Sequence, residues 1–372
     1  MIYLDYAATT QMSEEALQTY IETSRYVFGN SQSLHPLGLT ASSLLDTCRQ
    51  KLASSLNGEK EGIIFTSGAT EANALAIKTL LTSCKKVGNH LISTSIEHAS
   101  VKNYLNYLAT KGYEITFLPV DSNGKISLSQ LNKAIKPHTI LATIQCTNSE
   151  VGTIQPLKEI GALLRRKGIL FHSDCAQGYG KIPIDIKELQ IDSLSISSHK
   201  IYGPKGVGLC YINPKINRIP TIKGTTHEFG LRGGTIDLPA VAAFTTASEQ
   251  RIKVMEKEYD CLLKLKTYFT TELGSFAQVI GDVNQTLPHI IGITISNIEG
   301  QYTLLACSRQ NIMIGTGSAC KVEFQEPSPV LMAIGKSSEE AKTFVRLSLG
   351  KDTTKEHLTK TLDVIKKIIE CY

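Results

Sequence analysis

Lys200 stands in Ser197-Ser198-His199-Lys200-Ile201-Tyr202-Gly203-Pro204-Lys205-Gly206, directly after the apolar run Ile191 to Ile196. That run reads as a strand ending in a loop, which puts the lysine at a strand's end among polar residues and glycines. At the carboxyl edge of an α/β sheet, an amine that is desolvated or set beside other cations loses its proton and adds to a carbonyl as a Schiff base. A solvated loop lysine is the ordinary alternative, so the chemistry depends on whether partners stand elsewhere in the chain.

Partners are present. Thr66-Ser67-Gly68-Ala69-Thr70-Glu71 follows a strand from Gly62 to Phe65 and opens a helix, where free N–H groups and the helix dipole favour an anion such as phosphate. No Gly-Lys-Thr follows, so the turn is not a Walker loop. Three further polar groups come just after successive strands: His98 in Ser95-Ile96-Glu97-His98, then Asn148-Ser149-Glu150, then Asp174 in His172-Ser173-Asp174-Cys175-Ala176-Gln177. Each alone is an ordinary cap or buried polar residue. In a doubly wound sheet all of them meet Lys200 at one edge.

The positioning elements follow from hydrophobic period and capping residues. After an extended arm at Tyr3 to Thr10, Ser13 caps a helix toward Phe28, Gly29 to Ser33 breaks it, and a second helix covers Leu39 to Leu56. Strands at His90 to Thr94, Glu114 to Leu118, Ile140 to Gln145 and Ile169 to His172 alternate with helices from Ser100, near Leu128 and from Pro156. This rhythm predicts a mainly parallel sheet sandwiched by helices. A long helix from Pro239 to about Phe276 crosses into a region with a strand from His289 to Ile295 and a helix from Gly300. There the loop Gly315 to Pro327 ends where Ser328 caps a helix and Pro329 begins it. The expected division is an arm over 1–15, a large α/β domain over 16–255 and a smaller α+β domain over 256–372.

Composition narrows the class. With 42% hydrophobic and 20% charged residues over 372, the chain reads as a soluble globular protein. Its 39 basic and 34 acidic residues leave +5, too slight a balance for direct nucleic-acid binding. Nine cysteines, an odd number without Cys-x-x-Cys or His-Glu-x-x-His, signal neither a disulfide framework nor a zinc site, and point to the reducing cytoplasm. No leader precedes Tyr3 and no apolar run reaches membrane-spanning length, so a mature chain away from membranes is expected.

The chemistry these parts suit is that of pyridoxal phosphate: a lysine holds its aldehyde, a carboxylate keeps its ring nitrogen protonated, an aromatic ring stacks on it and a helix terminus takes its phosphate. Lys200, Asp174, His98 and the Ala69-Thr70 turn fit those four parts. The ordered series continues with Tyr3-Leu4-Asp5, Phe28-Gly29-Asn30, Arg232-Gly233-Gly234-Thr235, Gly317-Ser318-Ala319-Cys320 and Arg346-Leu347-Ser348-Leu349-Gly350. Across nearly its whole length the chain resembles the cysteine desulfurases, the NifS-like group of fold-type-I pyridoxal phosphate enzymes related to class V aminotransferases.

The resemblance implies roles. Lys200 would carry the cofactor and shuttle protons, Asp174 would pair with the pyridinium and His98 would stack on the ring. Gln177, Asn148 and Ser149 would face the phenolic oxygen, with Ser149 standing where the family usually has an asparagine. Ala69, Thr70, Ser197 and His199 would bind the phosphate, joined by Thr235 from the second subunit of a homodimer. Arg346, helped by Asn30, would grip the carboxylate of L-cysteine. Cys320, on a mobile loop, would attack the substrate sulfur, release alanine and keep a persulfide for a protein sulfur acceptor. The eight other cysteines read mostly as small core residues. Lys321, Val322 and Phe324 replace the small residues common after that cysteine, and the chain ends at Tyr372 without the tail of scaffold-binding members. A dedicated acceptor, such as a tRNA-thiolation protein, is therefore favoured over iron-sulfur assembly. Two other readings differ in their tests. A selenocysteine lyase or aminotransferase would give other products, and a non-catalytic sulfur-relay scaffold would take up no cofactor.

Overall fold

The computed structural model describes residues 1–220, 224, 226–317 and 327–371. The chain opens with β1 (Ile2–Tyr3) and α1 (Glu14–Tyr26), whose first turn is capped by the Ser13 hydroxyl. Helix α2 (Pro36–Ser54) starts three residues ahead of the expected Leu39, because Pro36 fits the first turn and His35 caps it.

The alternating stretch then follows: β2 (Ile63–Thr66), α3 (Ala69–Ser83), β3 (His90–Thr94), α4 (Ala99–Ala109), β4 (Glu114–Leu118) and α5 (Leu128–Ala134). It continues with β5 (Thr139–Thr143), α6 (Leu157–Arg166), β6 (Leu170–Asp174), β7 (Ser193–Ser197) and β8 (Gly208–Ile212). These strands form one seven-stranded sheet in the order β2-β8-β7-β6-β5-β3-β4. The run from β4 to β7 is parallel, while β8 is antiparallel to both β7 and β2. The chain therefore turns back at one end of β7, and Lys200 sits in that turn. Phe65, Ile92, Leu194 and Leu209 from the sheet pack with Leu52 of α2 in the main core.

Helix α7 (Leu238–Leu273) joins two cores. Val241 and Phe244 belong to the main one, while Leu262, Phe269 and Leu273 belong to a second. The second is built on β9 (Gln278–Ile280), β10 (Ile290–Thr294), α8 (Gly300–Arg309), β11 (Ile312–Met313), β12 (Phe344–Ser348) and α11 (Lys355–Glu370), while α9 (Pro329–Ala333) and α10 (Ser338–Lys342) pack through Leu331 and Ala341 with Ile96 and Val151 in a smaller cluster. The sheet of the second core runs β12-β10-β9, all antiparallel. The amino-terminal arm belongs with it: β1 pairs with β11, and Leu4 is buried in that core. The arm then crosses to the large sheet, since Thr10 N donates to the His199 carbonyl at 2.9 Å.

The segment between β8 and α7 is pinned at Glu228 and Phe229, both of left-handed backbone (φ 44° and 57°). Arg49 holds Glu228 through both carboxylate oxygens, at 3.1 and 2.6 Å, and lies over the rings of Phe65 and Phe229. A buried ion pair with further hydrogen bonds of this kind fixes geometry. Arg232 and Thr235 are carried on the chain that follows.

Candidate active site

The carboxyl ends of β3, β5, β6 and β7, the amino end of α3, the arm and β12 enclose a cavity of about 620 Å³. That size suits a small aromatic cofactor with a substrate attached. Its wall includes Ala69, Thr70, His98, Ser149, Asp174, Gln177, Ser197, His199, Lys200 and Arg346.

The amino end of α3 is open. Gly68, its N-cap at φ 153°, makes no side-chain cap, so the helix offers uncapped N–H groups there. A side chain at Gly208 would meet the Gly68 backbone at 2.8 Å, so β8 presses against the turn. The Ser197 hydroxyl lies 3.6 Å from where a Gly68 side chain would begin, and a cradle for an oxyanion results. Glu71 closes one flank by accepting from Ser67 N at 2.6 Å and from Arg232 at 2.7 Å.

Asp174 ends β6 on the cavity wall and is buried. One of its oxygens accepts from Ala176 N at 3.0 Å and the other from the Asn73 amide at 2.8 Å. Asn73, fully buried on α3, is itself oriented: its Oδ1 accepts from the Ser195 hydroxyl and meets His172 Nε2 at 3.0 Å. Burial pulls His172 down to about 4, so the ring is neutral at physiological pH. Its Nε2 then carries the proton donated to Asn73, and Nδ1 accepts from Ser193 at 2.8 Å. Nothing in the sequence patterning singles out Asn73. A buried asparagine on an otherwise apolar helix face is the signal that could have found it.

Lys200 is half-buried, and its amine donates to the carbonyls of Ala7 and Ala8 at 2.6 and 2.8 Å. His199 Nδ1 meets the Thr9 hydroxyl at 3.0 Å. Burial, then Lys200 and Lys205, pull His199 down to about 4. His98 caps α4 by accepting from Ser100 N at 3.2 Å, and its exposed ring forms part of the cavity wall. Arg346 reaches Asp5 at 2.7 Å and the Ser149 carbonyl at 3.0 Å, while its Nε is buried without a hydrogen-bond partner among the described residues.

Not every expected residue meets this cavity. Asn148 is turned away: its Oδ1 accepts from Glu150 N and Val151 N, and its amide donates to Ile96, so Ser149 alone of that pair reaches the wall. Asn30 and Thr235 are exposed elsewhere on the chain. Cys320 lies outside the described residues. Of the other cysteines, five are buried as expected, but Cys84 is half-buried and Cys261 and Cys371 are exposed, the last two near or beyond the solvent side of long helices.

Glu97, beside His98, is a buried acid. One oxygen accepts from the Thr94 hydroxyl at 2.6 Å and Gln145 N at 3.0 Å, and the other has no partner among the described residues. Burial raises it from 4.5 to about 8, and the charge of Asp174 adds to the rise. The native state thus holds a proton that the unfolded chain releases above about 4.5. The stability this proton contributes is complete below that value and is lost as pH rises to about 8. Glu97→Gln keeps both accepted bonds without the titration. In urea unfolding, its advantage over the wild type is expected to grow by ~3–4 kcal/mol between pH 5 and 8. A constant difference across that range would show Glu97 to be ionised in the native protein.

The aminotransferase class-V family model matches residues 2–360. A Bacillus subtilis (strain 168) protein named as a NifS cysteine desulfurase is 44% identical over 367 residues, covering 97% of this chain and 93% of its own. Among solved structures, a NifS-like protein superposes with a TM-score of 0.93 at 32% identity and full coverage of both chains. A structure of SspA in complex with cysteine gives 0.82 at 32%, covering 94% of this chain and 99% of that one. Fold and site thus define a fold-type-I enzyme of the class V aminotransferase family, a family that uses pyridoxal phosphate. Within it, the chain belongs to the NifS-like cysteine desulfurases.

Proposed function

We propose that this enzyme converts L-cysteine to L-alanine and keeps the sulfur as a persulfide on Cys320. The observation that carries the proposal is the meeting, in one cavity, of the Lys200 amine, the Asp174 carboxylate, the His98 ring and the uncapped end of α3. These residues fit pyridoxal phosphate, which when bound supplies the electron sink that lets the α-proton of an amino acid leave. Ala69, Thr70, Ser197 and His199 would hold its phosphate, Asp174 would keep its ring nitrogen protonated, and His98 would stack on its ring. Gln177 and Ser149 face its phenolic oxygen, where the serine hydroxyl reaches less far than an amide. Lys200 would hold the cofactor, and its amine would serve as the base that moves the substrate's α-proton.

Arg346 receives the substrate carboxylate as a forked guanidinium, already aimed by Asp5 and Ser149. Cys320, as thiolate, then forms an S–S bond to the substrate sulfur while the C–S bond breaks, and the β-carbon takes a proton to become the methyl group of alanine. Incubating the cofactor-loaded protein with L-cysteine and a reductant tests this. Equal alanine and sulfide are expected, and bound cofactor without alanine would mean a different amino-acid substrate.

A homodimer completes the site in this proposal, bringing Thr235 of a second copy to the phosphate. Flanking exposed Asn30 in the sequence, Tyr26, Phe28 and Leu34 are 72%, 67% and 91% exposed, large apolar side chains suited to such a contact. Sedimentation of the loaded enzyme checks it, and a monomer at micromolar concentration would exclude it. The sulfur goes to a protein acceptor in the cytoplasm. The residues after Cys320 favour a dedicated tRNA-thiolation partner, which labelled-sulfur transfer can distinguish from an iron-sulfur scaffold.

A further inference from the structure

Lys181 follows Gln177 by four residues, and its side chain is buried, with the whole residue 7% exposed. Its amine donates to Gln177 Oε1 at 3.1 Å. The amide nitrogen of Gln177 in turn donates to the Ala7 carbonyl at 2.8 Å, the same oxygen that accepts from Lys200 at 2.6 Å. One buried chain of hydrogen bonds therefore joins Lys181, Gln177, the arm and Lys200. The Ala7 carbonyl can only accept, so it fixes the Gln177 nitrogen on the arm side; the Gln177 oxygen then faces Lys181, whose amine donates to it in either protonation state, and the second Gln177 N–H is left for the cavity.

We propose that Lys181 is a positioning residue that locks the Gln177 amide with its donors toward the cofactor's phenolic oxygen. The proposal rests on the cavity being the pyridoxal phosphate site. An unlocked glutamine could present its oxygen instead, placing acceptor against acceptor.

The surroundings fit a lysine held for orientation rather than for pairing with a carboxylate. Burial first, then Lys200 and Arg251, pull its amine down to about 7, with Glu258 opposing and Arg346 adding to the fall. Glu258 is itself engaged, gripped by Arg251 through both oxygens at 2.6 Å and approached by His289 at 3.4 Å. The hydrogen bond that defines the Lys181 geometry is the one to Gln177.

A double-mutant cycle tests this, using pyridoxal phosphate titrated into the cofactor-free protein. Lys181→Met is expected to weaken cofactor binding about tenfold, the scale of one aligned buried hydrogen bond. It is also expected to move the pH midpoint of the bound cofactor's visible absorption upward, because an oxygen that loses a donor holds the neighbouring proton more tightly. Gln177→Ala should do the same, and the double variant should bind no more weakly than Gln177→Ala alone. Losses that add, or a Lys181→Met protein with unchanged affinity and midpoint, would overturn the proposal. If Lys181→Met does not fold, Lys181→Gln enters the same cycle under the same criteria. Failure of the wild-type protein to take up pyridoxal phosphate would instead sink the site assignment itself.

Discussion

Cys320→Ala is expected to release no sulfide and accumulate no persulfide from L-cysteine, while binding cofactor as the wild type does. A thiolate is the protein group able to attack the substrate sulfur and keep it as a persulfide, and the other cysteines do not reach the cavity. Cys175, next to Asp174, is fully buried, and contact with Cys146 together with burial holds its thiol well above the usual range. The chain on either side of Cys320 is anchored at the site. Gly315 pairs with Arg346 through both backbone groups, and the Ser328 hydroxyl donates to Glu150. Because Lys200 and Arg346 are untouched, the variant should still exchange the α-proton of L-cysteine with solvent deuterium. Exchange without sulfide places the loss at sulfur transfer; sulfide above about a tenth of the wild-type rate would remove Cys320 from the mechanism.

Much of the scaffold can be read from residue pattern because its signals are local. Strands β3 and β4 coincide with the alternating runs that predict them, and α7 spans nearly the whole of its helical pattern. Where boundaries moved, a side-chain bond is the reason. Strand β5 stops at Thr143, two residues short of Gln145, because Gln145 leaves the ladder: its N–H goes to Glu97 and its side chain to Ile96. Lys200, Asp174, His98 and the Ala69-Thr70 turn were legible as neighbours of one cavity since each comes at or just after the end of a strand, and a parallel sheet gathers such positions at one edge. What supports them was not legible. Asn73 acquires its part only when α3 is laid across β6 and β7, which lie about a hundred residues further along the chain. The shared Ala7 carbonyl likewise depends on the arm crossing from one core to the other, a long-range event with no local period.

Asp174→Asn shows how that hidden support sets the size of an effect. The change is isosteric, and the new side chain can still accept from Ala176 N through its oxygen. Its amide then faces the Asn73 amide, so two donors meet across a gap now bridged at 2.8 Å. Asn73 cannot turn over to relieve this, because Ser195 and His172 both donate to its oxygen and His172 is neutral, with a single ring proton committed there. The clash remains buried, and the negative charge that keeps a ring nitrogen protonated is gone. Turnover of L-cysteine is expected to fall on the order of 1,000-fold, about 4 kcal/mol of transition-state stabilisation, with cofactor still bound through Lys200 and the α3 cradle. The Asn73→Ala protein separates the two causes. It keeps the charge but loses the aim, so a much smaller loss, about tenfold, is expected there. Similar losses in the two variants would mean that orientation, and not charge, is what Asp174 contributes; turnover by Asp174→Asn within tenfold of the wild type would remove the carboxylate from catalysis.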